Sequence, residues 1–148
     1  MFKRLLFLMV SLGALSAYAQ TDNSLLDVSH AYLIIKNGAV SYNADTGSWP
    51  ASNNVAAFME NDGTAKWDGP YIKEWPDKNP WGGFYFWKND KAGIFVEKSF
   101  GERYIVVSSV PAGAANKFDA KVDNGNPSTG SVRYKDGNLL LEVSDDAY

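Results

Sequence analysis

The sequence predicts an α+β domain in which one long amphipathic helix lies across an antiparallel sheet. Two observations carry this expectation. Early in the chain, apolar residues recur at three- and four-residue steps, at Leu25, Val28, Tyr32, Ile35, Ala39 and Tyr42, which is the spacing of one helix face. Later, short runs rich in Val, Ile, Leu and aromatic residues are separated by turn residues, the pattern of paired strands. Helix and strands are segregated along the chain, and segregation points to α+β rather than to a parallel α/β fold.

Taken in order, the chain opens with a basic start (Lys3, Arg4), an apolar run over residues 5–15 and the small-residue ending Ala17-Tyr18-Ala19. This is the pattern of a secretory signal peptide. The apolar run is broken by Ser11 and Gly13 and is shorter than the roughly 20 residues that a bilayer span requires. The expected organisation is a cleaved signal over residues 1–19 and a single domain over 20–148. The location expected is the periplasm or the extracellular space, with no stable membrane span after cleavage.

The first helix is expected over residues 25–43, with Leu26, Leu33 and Val40 widening its apolar stripe. Ser24 and Asp27, three positions apart, resemble a capping box at its start. Gly38 weakens the helix interior by about 1 kcal/mol against Ala, unless it permits close packing. Asp45-Thr46-Gly47 ends the helix. Residues 49–81 are rich in Pro, Gly, Asn and Asp and read as a long ordered loop holding one short helix over 54–59. Trp49, Trp67, Tyr71, Trp75 and Trp81 supply the apolar area that would fasten such a loop to the sheet. Strands follow at 84–87 and 93–96 around Asn89-Asp90, and a third at 103–110 is closed by Pro111. A second helix is expected over 114–122, with Ala115, Phe118 and Val122 facing inward. After the turn-rich 123–127 come strands at 131–134 and 139–143, joined by Asp136-Gly137, a two-residue hairpin signal.

Composition narrows the function. A chain of 148 residues, 45% hydrophobic, builds one core without covalent staples. It has no cysteine and a single histidine, His30, which removes disulfides, thiolate metal sites, cysteine nucleophiles and multi-histidine metal centres. The net charge is −3, and loss of residues 1–19 would remove two of the 14 basic side chains but none of the 17 acidic ones. An acidic chain lacks the basic stripe that phosphate backbones require, so no nucleic acid partner is expected. There is no Gly-x-Ser-x-Gly elbow, phosphate loop or dinucleotide fingerprint. His30 lies off the helix stripe, at a position read as solvated. No catalytic residue is assigned, and a non-enzymatic role is expected.

Three ordered blocks carry a family resemblance. Residues 39–50 read AVSYNADTGSWP, residues 67–85 run WDGPYIKEWP, then Asp77 and Lys78, then NPWGGFY, and residues 119–133 read DAKVDNGNPSTGSVR. The first is similar to the helix exit of type IV pilins and of the major pseudopilins of type II secretion. The second resembles the sequence leading into the first strand of those proteins, with Asn79 standing where Asp is usual. The third resembles a segment that places an Asp-Asn-Gly turn before a final hairpin. Pilins begin instead with a short leader ending in Gly, then Phe-Thr-Leu-Ile-Glu and a long apolar helix. The N-terminal run here has no glutamate, so the resemblance implies a pilin-like head with a shortened helix.

The function the resemblance implies is that of an exported protein acting through protein contacts, as a component or accessory of a type II secretion or type IV pilus system. Pilin or pseudopilin subunits are the implied partners. The helix face Val28, Tyr32, Ile35, Ala39 and Tyr42 has two readings, packing onto the sheet or docking against a neighbouring subunit. Asp119, Asp123, Asn124, Asn126 and Ser128 place oxygens in one turn-rich stretch, and calcium takes about six to eight oxygens. Pseudopilin heads of the secretion type bind calcium in a C-terminal loop, although the spacing here does not follow that loop residue by residue. Ordinary Asx turns are the other reading of the stretch. The alternative function is a secreted or periplasmic carbohydrate-binding module that stacks sugars on exposed tryptophans.

Overall fold

A computed structural model describes the backbone over residues 2–90 and 100–143, and side chains over residue 20 and residues 22–90 and 100–143. The helix expected over 25–43 is the later part of a longer one, α1, spanning Phe2–Thr46. The Ser24 hydroxyl donates to the carbonyl of Gln20, four residues back, at 3.0 Å. Ser24 therefore lies inside the helix, and the predicted capping box at Ser24 and Asp27 is not formed. The far end is where the sequence puts it. The N–H of Gly47 donates to the carbonyl of Asn43 at 2.8 Å, and the Thr46 hydroxyl donates to that of Tyr42 at 2.7 Å.

After α1 come a short helix α2 (Ala56–Met59), strand β1 (Tyr85–Asn89), strand β2 (Arg103–Val107), helix α3 (Ala112–Val122), and strands β3 (Val132–Lys135) and β4 (Asn138–Glu142). The strands form one antiparallel sheet in the order β1-β2-β4-β3. The described partner of β1 is β2, with Trp87 opposite Ile105. The strand expected over 93–96 lies outside the described residues. The final hairpin turns through Asp136 and Gly137 at φ 51° and 79°, both positive as a primed two-residue turn requires.

Alternation fixes which face of the sheet is inside. Tyr85, Trp87, Ile105, Val107, Leu139 and Leu141 point toward α1 and form the core with Val28, Ile35, Ala39 and Phe58. Full burial of an aliphatic side chain of this size contributes about 1.5–3 kcal/mol. The Tyr32 hydroxyl donates to the carbonyl of Glu142 at 2.8 Å, so helix and last strand are joined by a directional bond as well as by apolar contact. Gly38 has a packing reason: a Cβ there would lie 2.6 Å from Cγ1 of Ile72 and 3.3 Å from Phe58. The glycine lets the loop come down onto the helix.

The long loop is held by its aromatic residues. The indole N–H of Trp67 donates to the carbonyl of Ala57 at 2.9 Å, that of Trp75 to Tyr85 at 3.3 Å, and that of Trp87 to Pro50 at 2.9 Å. Phe58 packs between the rings of Trp75 and Trp87 at 5.3 and 5.7 Å. Each large ring thus buries area and satisfies its one donor.

Candidate interaction surfaces

Both edges of the sheet are occupied by the chain's own loops. On β1, the carbonyl of Trp87 accepts from the N–H of Asn53 at 2.8 Å, and the N–H of Asn89 donates to the Ser52 hydroxyl at 2.8 Å. On β3, the N–H of Tyr134 donates to the carbonyl of Pro127 at 3.0 Å, and that of Val132 to Oδ2 of Asp123 at 3.2 Å. Edge groups already paired are poor templates for a further strand. The surfaces left to partners are faces and grooves.

The helix face put forward in the sequence is turned inward. Val28, Ile35 and Ala39 have no exposure and Tyr42 only 2%, while Tyr32 is half-buried with its hydroxyl on Glu142. These side chains pack α1 on the sheet and the loop. Leu26 and Leu33, expected to widen that stripe, instead point outward at 59% and 48% exposure, joined by Ile34 at 47%. At about 100° per residue, Leu26 and Leu33 fall on the side of the helix opposite Ile35. The angular position of each residue, rather than its apolar character, was the signal that separates them. His30 is exposed on the same outward side. It borders an open groove of about 820 Å³ between α1 and the loop, walled by Ile34, Trp75, Pro76 and Lys78.

The five tryptophans are placed within the fold rather than on its surface. Trp87 is buried and Trp49, Trp67, Trp75 and Trp81 are half-buried. Trp49 stacks on Trp87 at 6.3 Å and carries the Arg103 guanidinium over its ring at 4.9 Å. Tyr42 donates to a carboxylate oxygen of Asp62 at 2.8 Å and sits the same distance from the Thr64 hydroxyl. Burial acts to raise the Asp62 pKa, but hydrogen bonds from Thr64 and Tyr42 outweigh it and hold the carboxyl below its ordinary value. This clamp ties the end of α1 to the loop.

The acidic turn after α3 is also largely self-satisfied. Oδ2 of Asp123 accepts from the N–H of Ser131 at 2.8 Å. Asn124 accepts from the N–H of Asn126 at 2.7 Å, and Asn126 from that of Ser128 at 3.1 Å, so both amides form Asx turns. Asp119 differs from them. Its side chain has no exposure, and neither carboxylate oxygen meets a partner at hydrogen-bonding geometry. Burial raises its pKa, the nearby charge of Asp123 adds to the rise, and the N–H groups of Gly125 and Asn124 oppose it. Among the described residues, no three His, Asp or Glu side chains gather as a metal site.

The outer face of the sheet was not singled out by the sequence. Phe86 stands opposite Val106, and Val106 opposite Leu140, so an apolar row crosses three strands. Phe100 covers one end of it, 5.6 Å from the Tyr104 ring, and Phe84 and Phe86 are exposed at 46% and 39%. The alternation of Phe84, Tyr85, Phe86 and Trp87 held this information, since two of four large aromatics in one strand must face outward.

A helix laid on one face of an antiparallel sheet whose edges are closed by loops defines an α+β head. Residues 22–126 match the family model described as PilW, C-terminal. The chain belongs to that family, and with it to the proteins related to the type IV pilus. The match runs from α1 through α3 and stops before the final hairpin. Comparison with curated proteins and with solved structures returned no match. Among the described residues, no helix is long and apolar enough to cross a membrane.

Proposed function

We propose that this protein is an exported, non-enzymatic pilin- or pseudopilin-like component or accessory of a type IV pilus or type II secretion system, working through protein contacts in the periplasm or outside the cell. The observation that carries the reading is the family match over a helix-on-sheet head that exposes Leu26, Leu33 and Ile34 on α1 and Phe84 and Phe86 at the sheet while its edges are closed. Exposed apolar patches on a small domain mark contact sites. Export rests on the signal-like pattern of residues 1–19. Deleting the gene and counting surface pili and secreted protein tests the role. Loss of either, restored by the wild-type gene, is the expected outcome, and unchanged piliation and secretion would overturn it. Sequencing the N-terminus of the native protein tests export, with Gln20 expected as the first residue and an uncut chain in the cytoplasmic fraction counting against it.

A further inference from the structure

The chain contains two Asn-Gly pairs, Asn37-Gly38 and Asn124-Gly125, and the fold treats them differently. Asn37 and Gly38 lie inside α1, where the helical backbone ladder fixes the glycine N–H, and Gly38 is buried against Ile72. Asn124 and Gly125 lie just beyond the end of α3, and both are exposed. Gly125 has φ 75°, and with no Cβ its backbone can be approached closely. The same dipeptide is locked at one place and open at the other.

The groups around Asn124 are those that a ring closure between its side chain and the next main-chain nitrogen requires. Its Oδ1 accepts from the N–H of Asn126 at 2.7 Å, and its Nδ2 donates to the Thr129 hydroxyl at 3.3 Å, so the amide is oriented by a partner at each end. A donor on Oδ1 stabilises the negative charge that develops there when Cγ is attacked. A base is also at hand. The Asp119 side chain is fully buried, and neither carboxylate oxygen has a partner at hydrogen-bonding geometry. The N–H of Gly125 nevertheless acts on that carboxylate, as does the N–H of Asn124. Contacts of this kind to a base are often long before reaction and tighten in the transition state.

We propose that Asn124-Gly125 is a self-modifying site, at which the Gly125 nitrogen closes onto Cγ of Asn124 with the Asp119 carboxylate as base, releasing ammonia. Asp119 takes the proton of the Gly125 N–H as the N–Cγ bond forms. Oδ1, held by the Asn126 N–H, carries the negative charge of the tetrahedral intermediate. The Cγ–Nδ2 bond then breaks, Nδ2 receives the proton and leaves as ammonia, and a succinimide ring and the Asp119 carboxylate remain. Water opens the ring at Cγ to give aspartate, or at the main-chain carbonyl of residue 124 to give isoaspartate. No oxidant or reductant is consumed. Either product loses the donor to Thr129 and adds a charge beside Asp123, whose Oδ2 holds the N–H groups of Ser131 and Val132. Isoaspartate also lengthens the backbone of the turn that carries α3 into the final hairpin. The inference does not depend on the pilus reading.

Asn37-Gly38 serves as the internal control. The full-length protein is incubated near neutral pH, folded or in guanidinium chloride, and peptide mapping follows the mass gain of amide turned acid and the isoaspartate at both pairs. In the folded protein Asn124 should convert at least about tenfold faster than in denaturant, a modest share of what a positioned base supplies, while Asn37 converts only in denaturant. An Asn124 that is unchanged in the folded protein, or slower there than in denaturant, would overturn the proposal. Asp119→Asn should bring the folded rate at Asn124 down to the denatured rate or below and leave Asn37 unaltered; an undiminished rate would remove Asp119 as the base. The pH profile separates a base from mere positioning of the turn. Asp123 is the charge that acts on Asp119. The folded rate should level off once Asp119 is ionised, whereas that of the denatured chain keeps rising with hydroxide. A folded rate that also rises without levelling would assign the reaction to hydroxide and refute the site.

Discussion

The side-chain amide of Asn79 donates to the carbonyl of Ser108 at 2.6 Å, while its Oδ1 accepts from the N–H groups of Trp81 and Gly83 at 3.0 and 3.1 Å. The residue is 4% exposed and ties the end of the long loop to the strand exit after β2. A carboxylate at this position could accept the same two N–H groups. Its second oxygen would face the Ser108 carbonyl with no proton between them. Asn79→Asp is therefore expected to cost about 1–3 kcal/mol at neutral pH, and Asn79→Ala a similar amount by leaving buried groups unpaired. Urea denaturation of both variants checks this. An Asp variant as stable as the wild type would show that the amide proton is dispensable.

Gly38→Ala reverses a common expectation. In an unobstructed helix the change stabilises by up to about 1 kcal/mol. Here the new methyl would lie 2.6 and 2.8 Å from the side-chain carbons of buried Ile72, whose branched Cβ leaves it few other rotamers. Overpacking of this kind costs about 1–3 kcal/mol, so Gly38→Ala should lower the melting temperature. Adding Ile72→Ala makes room, and the double variant should lose less than the two single losses together. Additive losses would place the strain elsewhere.

The elements that the sequence predicts well are those whose pattern is local. The final hairpin follows from Asp136-Gly137, α3 from the residues after Pro111, and the inward face of α1 from three- and four-residue spacing. The start of α1 lies before the expected capping box because Ser24 and Asp27 satisfy a capping pattern whether or not a turn of helix precedes them. The partner of β1 was not legible either, since pairing across the chain depends on packing that no short window contains. Leu26 and Leu33 point outward although they are as apolar as the core residues, because apolar character alone does not give direction. The aromatic loop was read correctly as anchored, but its hydrogen-bond partners, such as Pro50 for Trp87, are set by tertiary contact. The stretch 119–128 holds Asx turns at Asn124 and Asn126 and a separately buried Asp119.

Asp119 makes stability depend on pH. Its folded pKa is raised above the ordinary 3.8, with burial as the first cause and the charge of Asp123 as a further one. A raised folded pKa means that the folded state holds the proton more tightly. The associated stability is complete below 3.8 and is lost as pH rises through the folded value. At pH above the folded value the ionised group therefore opposes folding, and its place near the C-terminal end of α3 sets it against the helix dipole as well. Asp119→Asn should be more stable than the wild type at neutral pH, with the difference shrinking in acid. Denaturant titrations across that range check the prediction, and a gain independent of pH would assign it to something other than the charge.

Two tyrosines set the behaviour in alkali. Tyr85 is pushed up to about 12 by burial and by the charge of Asp27. Tyr104 is pushed to about 12 by burial, then by the charge of Asp90 and by its hydroxyl's hydrogen bond to that carboxylate, at 3.1 Å. Both folded values lie above the ordinary 10.0. The neutral phenols therefore contribute stability that is complete below about pH 10 and declines as pH rises toward 12. Ultraviolet titration of phenolate should show two late-ionising groups, each removed by its own Tyr→Phe substitution. Asp27→Asn should bring the Tyr85 transition to lower pH and leave that of Tyr104 in place, because Asp27 acts on the first ring alone. Movement of both transitions together would mean that partial unfolding, rather than the local charge, governs their ionisation.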